Sequence, residues 1–397
     1  MPHVAPRNFR VPELLILAIG TFTLSVDRYL LPGLLPQVSG DLHVSASAVG
    51  QLATLFGLVY AVSSPVIAAL TASWERRVLL ATGMAVFLVG IGLQATAARF
   101  PFVATGSVLA GLGAAAYMPT AYSSAGLLSD AATRARSLAL VAGGASVALV
   151  VAVPLVIRVG QLWGWRPSLW ILAALAIAAI IPLRALPPVF APPAHQGRWQ
   201  ILADSRVLSL IVVTAVVMAP SFLALTYLPT ILHTSGSLVP MAMLAFGGGG
   251  LAGTTVVPFL VNWRGARFAL LVGACGVTAF TALLAATRGT QVGAVATLFA
   301  VGVSGALTVV PQQHRLLALV PAAAAPVLIG LNGSALFIGS ALGAAIGGAV
   351  LAASGADGLL PATVGLGLLS IVLCAVVRPE VGVLAAAGAH GNTKEAA

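Results

Sequence analysis

Runs of about twenty apolar residues recur along almost the whole chain, and they limit the fold more than any other feature. Each is long enough to cross the hydrocarbon core of a bilayer as a helix. Twelve are read, at about 12–34, 48–70, 78–98, 101–124, 137–159, 167–185, 207–229, 238–260, 267–286, 291–311, 327–352 and 359–378. Backbone in lipid has no water to bond, so such runs fold as a bundle of helices. The composition agrees: 7% of the residues are charged, against about 25% in a soluble domain. The fifth and sixth runs are parted mainly by "GQLWGWRP". The opening "MPHVAPRNFRVPELLILAIG" imitates a signal peptide, but its apolar run continues too far and no small-residue cleavage site follows, so it reads as the first span. Cys275 and Cys374 both fall in predicted spans, and no disulfide is expected.

The formal net charge is +10, which by itself suggests nucleic acid. The placement of the charges argues for no nucleic-acid partner. Arg76, Arg77, Arg134, Arg136, Arg184, Arg198, Arg206, Arg264, Arg267, Arg315 and both termini's basic residues fall on alternate loops. The opposite loops hold only Arg99, Arg158, Arg166 and Arg288. That asymmetry is the positive-inside pattern of a multi-pass membrane protein with both termini in the cytoplasm. Of the 19 Lys and Arg residues, all but Lys394 are Arg, which with the Ala, Gly and Val content suggests a GC-rich bacterial source and hence its cytoplasmic membrane.

The longest polar break, Arg184 to Arg206, contains two proline pairs that cannot continue a helix. It divides the spans six and six. The expected organisation is an N-terminal six-helix bundle (1–185), a cytoplasmic linker (186–206), a C-terminal six-helix bundle (207–380) and a flexible tail (381–397). The halves echo each other. "WERRVLLATG" follows the second span and "WRGARFALLVG" the eighth; "GLGAAAYMP" has a looser counterpart in "GVSGALTVVP". Two parallel repeats place a substrate site between the halves near the midplane. The small-residue patch "GSALFIGSALGAAIGGA" suits close helix packing.

With these motifs the chain resembles the major facilitator superfamily, in its twelve-span drug:proton antiporter branch, and bacterial sugar-efflux and chloramphenicol-resistance permeases within it. The resemblance rests on "LLPGLLPQVSGDLHVS", "ALTASWERRVLL", "GQLWGWRPSLW" and the stretch from "PQQHRLLALVP" to "GSALGAAIGG". It implies an all-α membrane fold of twelve transmembrane helices in two pseudo-twofold-related six-helix bundles. It also implies export of a small molecule by alternating access, coupled to proton entry. The departures bear on coupling. In the loop between spans two and three the family pattern Gly-x-Leu-x-Asp-Arg-x-Gly-Arg-Arg keeps Arg76 and Arg77, but its Gly and Asp positions hold Ala68 and Ala72. Glu75 offers a carboxylate from a shifted position. The eighth-span loop keeps Asn262, Gly265 and Arg267, with Arg264 beside them. Ser107 stands where many relatives have a fourth-span Arg. In the fifth span Pro154 and Gly160 remain, while Ala152 and Val156 replace common glycines.

The most costly residues are Asp27 and Arg28 inside the first span. Each costs about 2.5–3.5 kcal/mol at mid-membrane, as much as several leucines return. On a helix the two side chains diverge by about 100°, so they need not be each other's partner. By depth, Arg158 in the fifth span is a candidate cation for Asp27, replacing the one missing at Ser107; Arg28 is the other. A carboxylate that alternates between an apolar setting and a cationic partner can take up and release a proton. A static buried ion pair is the competing reading. A second set, Phe56, Tyr60, Tyr117, Tyr122, Phe222, Tyr227, Phe246, Asn332 and Phe337, suits a lipophilic substrate in an apolar cavity with few polar anchors. Glu75, Arg76, Arg77, Asn262, Arg264 and Arg267 are gate or topology residues. No metal cluster or nucleophile–base pair is evident, and "FGGGGLAG" lacks the Lys and Ser/Thr of a phosphate loop. No cofactor and no enzymatic activity are therefore expected. The expected partners are a small-molecule substrate, protons and the lipid bilayer, with the chain a monomer. An uncoupled facilitator or an uptake symporter is the alternative, and an integral-membrane enzyme a more distant one.

Overall fold

The computed structural model describes residues 11–130, 133–190, 204–232, 238–319 and 325–377. The centre of the expected linker and the whole of the expected tail lie outside these residues. So do the basic residues nearest the two termini.

The first half begins with α1 (Val11–Gly33) and a short α2 (Leu35–Leu42). Then come α3 (Ala46–Leu70), α4 (Arg76–Thr96) and α5 (Phe100–Leu127). The fifth crossing is composite: α6 (Arg134–Val147), a π-helical turn (Ala148–Ala152) and α7 (Val153–Trp163). α8 (Trp165–Ile180) closes this half with a 3₁₀ turn to Ala185. The second half holds α9 (Ser205–Thr226), a short α10 (Leu228–Leu232), α11 (Leu238–Thr287), α12 (Gln291–Leu317), α13 (Ala325–Ser354) and α14 (Leu359–Val376).

Among the described residues, eleven helical stretches are long and apolar enough to cross a membrane. α11 runs for 50 residues and is broken at Gly265, whose φ of 84° no L side chain adopts easily. It therefore makes two crossings, and the twelve spans expected from the sequence are all present. The fifth and sixth divide at Gly164, φ 93°, inside the "GQLWGWRP" break. Gly355, at the turn between the last two spans, also has positive φ (68°). Since the fifth-to-sixth and eleventh-to-twelfth turns correspond in a six-span repeat, these two glycines are repeat mates. Prolines repeat in the same way: Pro32 and Pro220 lie in spans one and seven, Pro65 and Pro258 in two and eight, Pro119 and Pro311 in four and ten. The duplication is thus legible in backbone geometry as well as in sequence.

Local chemistry fixes where spans start. The Ser45 hydroxyl accepts from the Ala48 N–H (3.1 Å), and the Asp204 carboxylate from the Arg206 N–H (2.8 Å); both fill donors that a helix start leaves open. Small residues then bring backbones together, as membrane packing requires. A Cβ on either Gly90 (α4) or Gly106 (α5) would meet the other's carbonyl at 2.6 Å. Gly339 and Gly343 of α13 ride in the same way on the Ala215 and Ala219 carbonyls of α9. Exposed side chains such as Val62, Leu155, Phe259 and Val372 are apolar, which fits a surface that meets lipid.

The halves meet where α3 packs on α13, where the π turn packs on α11, and where α1 packs on α9. Ser47 Oγ donates to the Gly348 carbonyl (2.8 Å), and Gly57 lies against the Phe337 carbonyl and the Ala341 methyl. The α3–α13 hydrogen bonds fall in the first half of α3 and the second half of α13, towards the end of the bundle remote from the linker.

Candidate functional site

α1 is the helix that carries charge into the junction between halves. Its run of Leu, Ala, Thr and Ser lets it insert; Asp27 and Arg28 then sit well inside it. Asp27 is 7% exposed and its Oδ1 has no hydrogen-bond partner. Arg28 is half-buried, and its Nε and Nη2 are also without partners. Neither belongs to an ion pair among the described residues. The two therefore do not form the static buried pair considered from the sequence.

Aromatic faces surround Arg28 instead. Its guanidinium carbon lies 4.0 Å from the Phe222 ring centre and 4.3 Å from that of Phe337. The Tyr29 ring is 6.0 Å away. Phe337 stacks on Tyr60 with centres 3.7 Å apart and touches Phe56 at 6.1 Å. Tyr29 stacks on Phe222 at 6.1 Å. Arg28, Tyr29, Phe56 and Tyr60 come from the first half, and Phe222 and Phe337 from the second. The cluster thus bridges the two halves. A cation over a ring is worth about 0.5–2 kcal/mol, while an unmet buried polar group costs about 1–3 kcal/mol and more if charged. The rings offset part of the cost of Arg28; its hydrogen-bonding capacity stays unfilled.

Of the expected substrate-lining residues, Phe56, Tyr60, Phe222 and Phe337 come together here. Tyr117, Tyr227, Asn332 and Phe246 do not join them. Tyr117 is fully buried, packs on Gly20 and points its hydroxyl at the Leu17 carbonyl (3.5 Å), holding α5 to α1. Tyr227 donates to the Ala344 carbonyl (2.9 Å) and packs on Gly50 and Gly347, at the end remote from the linker. Asn332 accepts from the Thr214 hydroxyl (3.0 Å) inside the second half. Tyr122 is half-buried and within electrostatic reach of Tyr60 at the edge of the cluster, and Phe246 is half-buried at the margin of the core. The pairing of Arg158 with Asp27 is also corrected: Arg158 is exposed on α7, on the stripe that carries exposed Val151, Leu155 and Leu162. Tyr29 was missed, although it directly follows Arg28.

The loop residues separate into local roles. Glu75 pairs with Arg77 (3.0 Å), and the Arg76 N–H donates to the Val189 carbonyl (2.8 Å). Arg264 stacks over Trp263 and Phe268, and Asn262 is exposed. Arg267 reaches the Ala375 carbonyl (2.6 Å) and Arg315 that of Val377 (2.9 Å). These two arginines cap the C-terminus of α14, where orphan carbonyls and the helix dipole favour a cation. The sequence also hid a contact between two of its own motifs. Asp41, from "QVSGDLHVS", accepts from Arg166 (2.6 Å) and from the Trp165 indole (3.2 Å), both of "GWRPSLW". Arg166 also donates to the Ala97 carbonyl (2.8 Å).

Comparisons with known proteins agree with this architecture. The family model described as Major Facilitator Superfamily matches residues 17–344. A chloramphenicol resistance protein of Streptomyces lividans is 30% identical over 83% of this chain and 86% of its own length. An uncharacterised MFS-type transporter of Bacillus subtilis (strain 168), YbcL, is 27% identical over 85% of this chain and 88% of its own. A crystal structure of the nucleoside transporter NupG superposes with a TM-score of 0.71 at 15% identity, covering 92% of this chain and all of that one. At that identity the likeness speaks to the fold alone.

Proposed function

Since the chain belongs to the major facilitator superfamily, and is thereby a multi-pass membrane transporter, we propose that it exports a small lipophilic molecule in exchange for protons. Asp27 carries this reading: a buried carboxylate with an unpartnered oxygen, one residue from an aromatic-clasped Arg at the contact between halves. Intramembrane ionisable groups are costly and are kept for function. In the proposed cycle the halves rock against each other along the junction of α1 and α3 with α9 and α13, and the α3–α13 contact parts at the end remote from the linker. A proton from outside binds the Asp27 carboxylate; after the halves rock, it leaves to the cytoplasm. Substrate occupies the aromatic junction in the half-cycle in which the proton does not. The resistance relative supports export of a drug-like compound. The arginine-rich loops support an orientation with both termini in the cytoplasm of a bacterium. The two bundles of 1–185 and 207–380 are the rocking units, and one chain suffices for the path.

The test is transport into everted membrane vesicles under an imposed pH gradient, with radiolabelled chloramphenicol as probe. Wild type should accumulate the probe when the lumen is acid and stop when the gradient is collapsed. Asp27→Asn should lose gradient-driven accumulation while still folding and exchanging probe down its own gradient. Wild-type transport indifferent to the gradient would make the protein a facilitator.

A further inference from the structure

We propose that the junction takes an uncharged aromatic molecule bearing a planar hydrogen-bond acceptor, such as a nitro or carbonyl group, which Arg28 binds, and that it rejects lipophilic cations. The inference rests on the export reading above and narrows its substrate class. A lipophilic cation needs aromatic faces to receive its charge. In this protein those faces are taken: the guanidinium of Arg28 covers Phe222 at 4.0 Å and Phe337 at 4.3 Å. A cationic ligand would have to evict Arg28 and then sit beside its charge.

What the junction offers is donors. Arg28 Nε and Nη2 are buried and have no partner, and a guanidinium presents its N–H groups in one plane, as a fork matched to a planar acceptor. The edges of Phe222 and Phe337, whose faces are covered, and the rings of Tyr29, Phe56 and Tyr60 packed beside them supply apolar walls against which an aromatic ring can lie edge-on or offset. An anionic ligand is disfavoured. A carboxylate would have to shed its water to enter an apolar site, and that desolvation can exceed what pairing with Arg28 returns. Arg158 adds no second cation to the junction, because it is exposed on α7. An acceptor without net charge meets the donors of Arg28 without that cost.

The experiment is equilibrium binding to the purified full chain in detergent, with matched probes. These are 4-nitrobenzyl alcohol, its apolar near-isostere 4-isopropylbenzyl alcohol, the anion 4-nitrobenzoate, and benzyltrimethylammonium. Wild type should bind the nitro alcohol about tenfold or more tighter than the isopropyl alcohol, the effect of one hydrogen bond to a charged donor. The ammonium and the anion should be weakest. In Arg28→Met the nitro preference should fall to about twofold or less, and the ammonium should gain affinity as the rings are uncovered. Arg28→Lys keeps the charge without the fork, so it should lose much of the nitro preference and still reject the ammonium; it serves if the Met variant fails to fold. A wild type that prefers the ammonium or the anion overturns the proposal, as does a folded Arg28→Met that keeps the nitro preference. Vesicle transport measured alongside separates the two readings. Nitro preference without gradient-driven transport defeats export alone, and gradient-driven transport without nitro preference defeats the site alone.

Discussion

Arginines in this protein satisfy their guanidinium groups in two ways. Arg166, Arg267 and Arg315 find oxygens: a carboxylate and carbonyls at the ends of helices. Arg28 finds rings and leaves donors open. The first kind holds helices in register, and its removal should be felt as stability. Arg166→Ala should lower the unfolding free energy by about 1 kcal/mol, since its pair with Asp41 is partly exposed. Arg166→Lys should recover less than half of that, because a point charge cannot serve Asp41 and the Ala97 carbonyl together. Thermal unfolding in detergent, with transport measured on the same samples, checks both. Charge at mid-span was enough to single out Asp27 and Arg28, because the bilayer makes such residues expensive. Depth alone also suggested Arg158. Depth says nothing of facing, and Arg158 lies among exposed Val151, Leu155 and Leu162. A long side chain there can reach towards the headgroups rather than the bundle interior. Asn332, expected at the substrate site, was misplaced for the opposite reason: Thr214, distant in sequence, takes its carbonyl oxygen.

At the level of elements, the spans were readable because lipid imposes length and hydropathy on every crossing, so most expected boundaries fall within a few residues of the helices. What could not be read was how helices bend. The π turn at Ala148–Ala152 lies just before Val153 and Pro154 and packs on α1 and α11. An extra residue in a turn leaves no mark in an all-apolar sequence, although such bulges often sit at moving parts. The break in α11 did leave a mark, in the glycine of "WRGAR". Gly265 has φ 84° and nothing within 4 Å of where a Cβ would stand. Its substitution therefore tests backbone strain without steric overlap. Gly265→Ala should destabilise by about 1 kcal/mol, and Gly265→Asn by less, because Asn tolerates the left-handed region. If Ala proved neutral in thermal unfolding, the bend would not depend on glycine at this position.

For the whole molecule, the contact between α3 and α13 is the one that the proposed cycle must break. Gly57 marks its centre. A Cβ built there would stand 3.1 Å from the Ala341 Cβ and 2.9 Å from the Phe337 carbonyl. The Cβ atoms of a disulfide stand about 3.5–4.5 Å apart, so Gly57→Cys with Ala341→Cys should cross-link after the helices part by about half an ångström. The parent for this variant carries Cys275→Ser and Cys374→Ala, which leaves no other thiol. Oxidation should hold the halves together at the α3–α13 contact and stop vesicle transport; dithiothreitol should restore it. Single-cysteine controls should transport in both conditions, which separates the cross-link from the cost of filling Gly57. The same oxidised protein should still bind the nitro alcohol, because Tyr60, Phe337 and Arg28 keep their places when the halves cannot part. Transport that continues through full cross-linking would mean the substrate path does not require α3 and α13 to separate, and the rocking cycle would have to be placed on another contact.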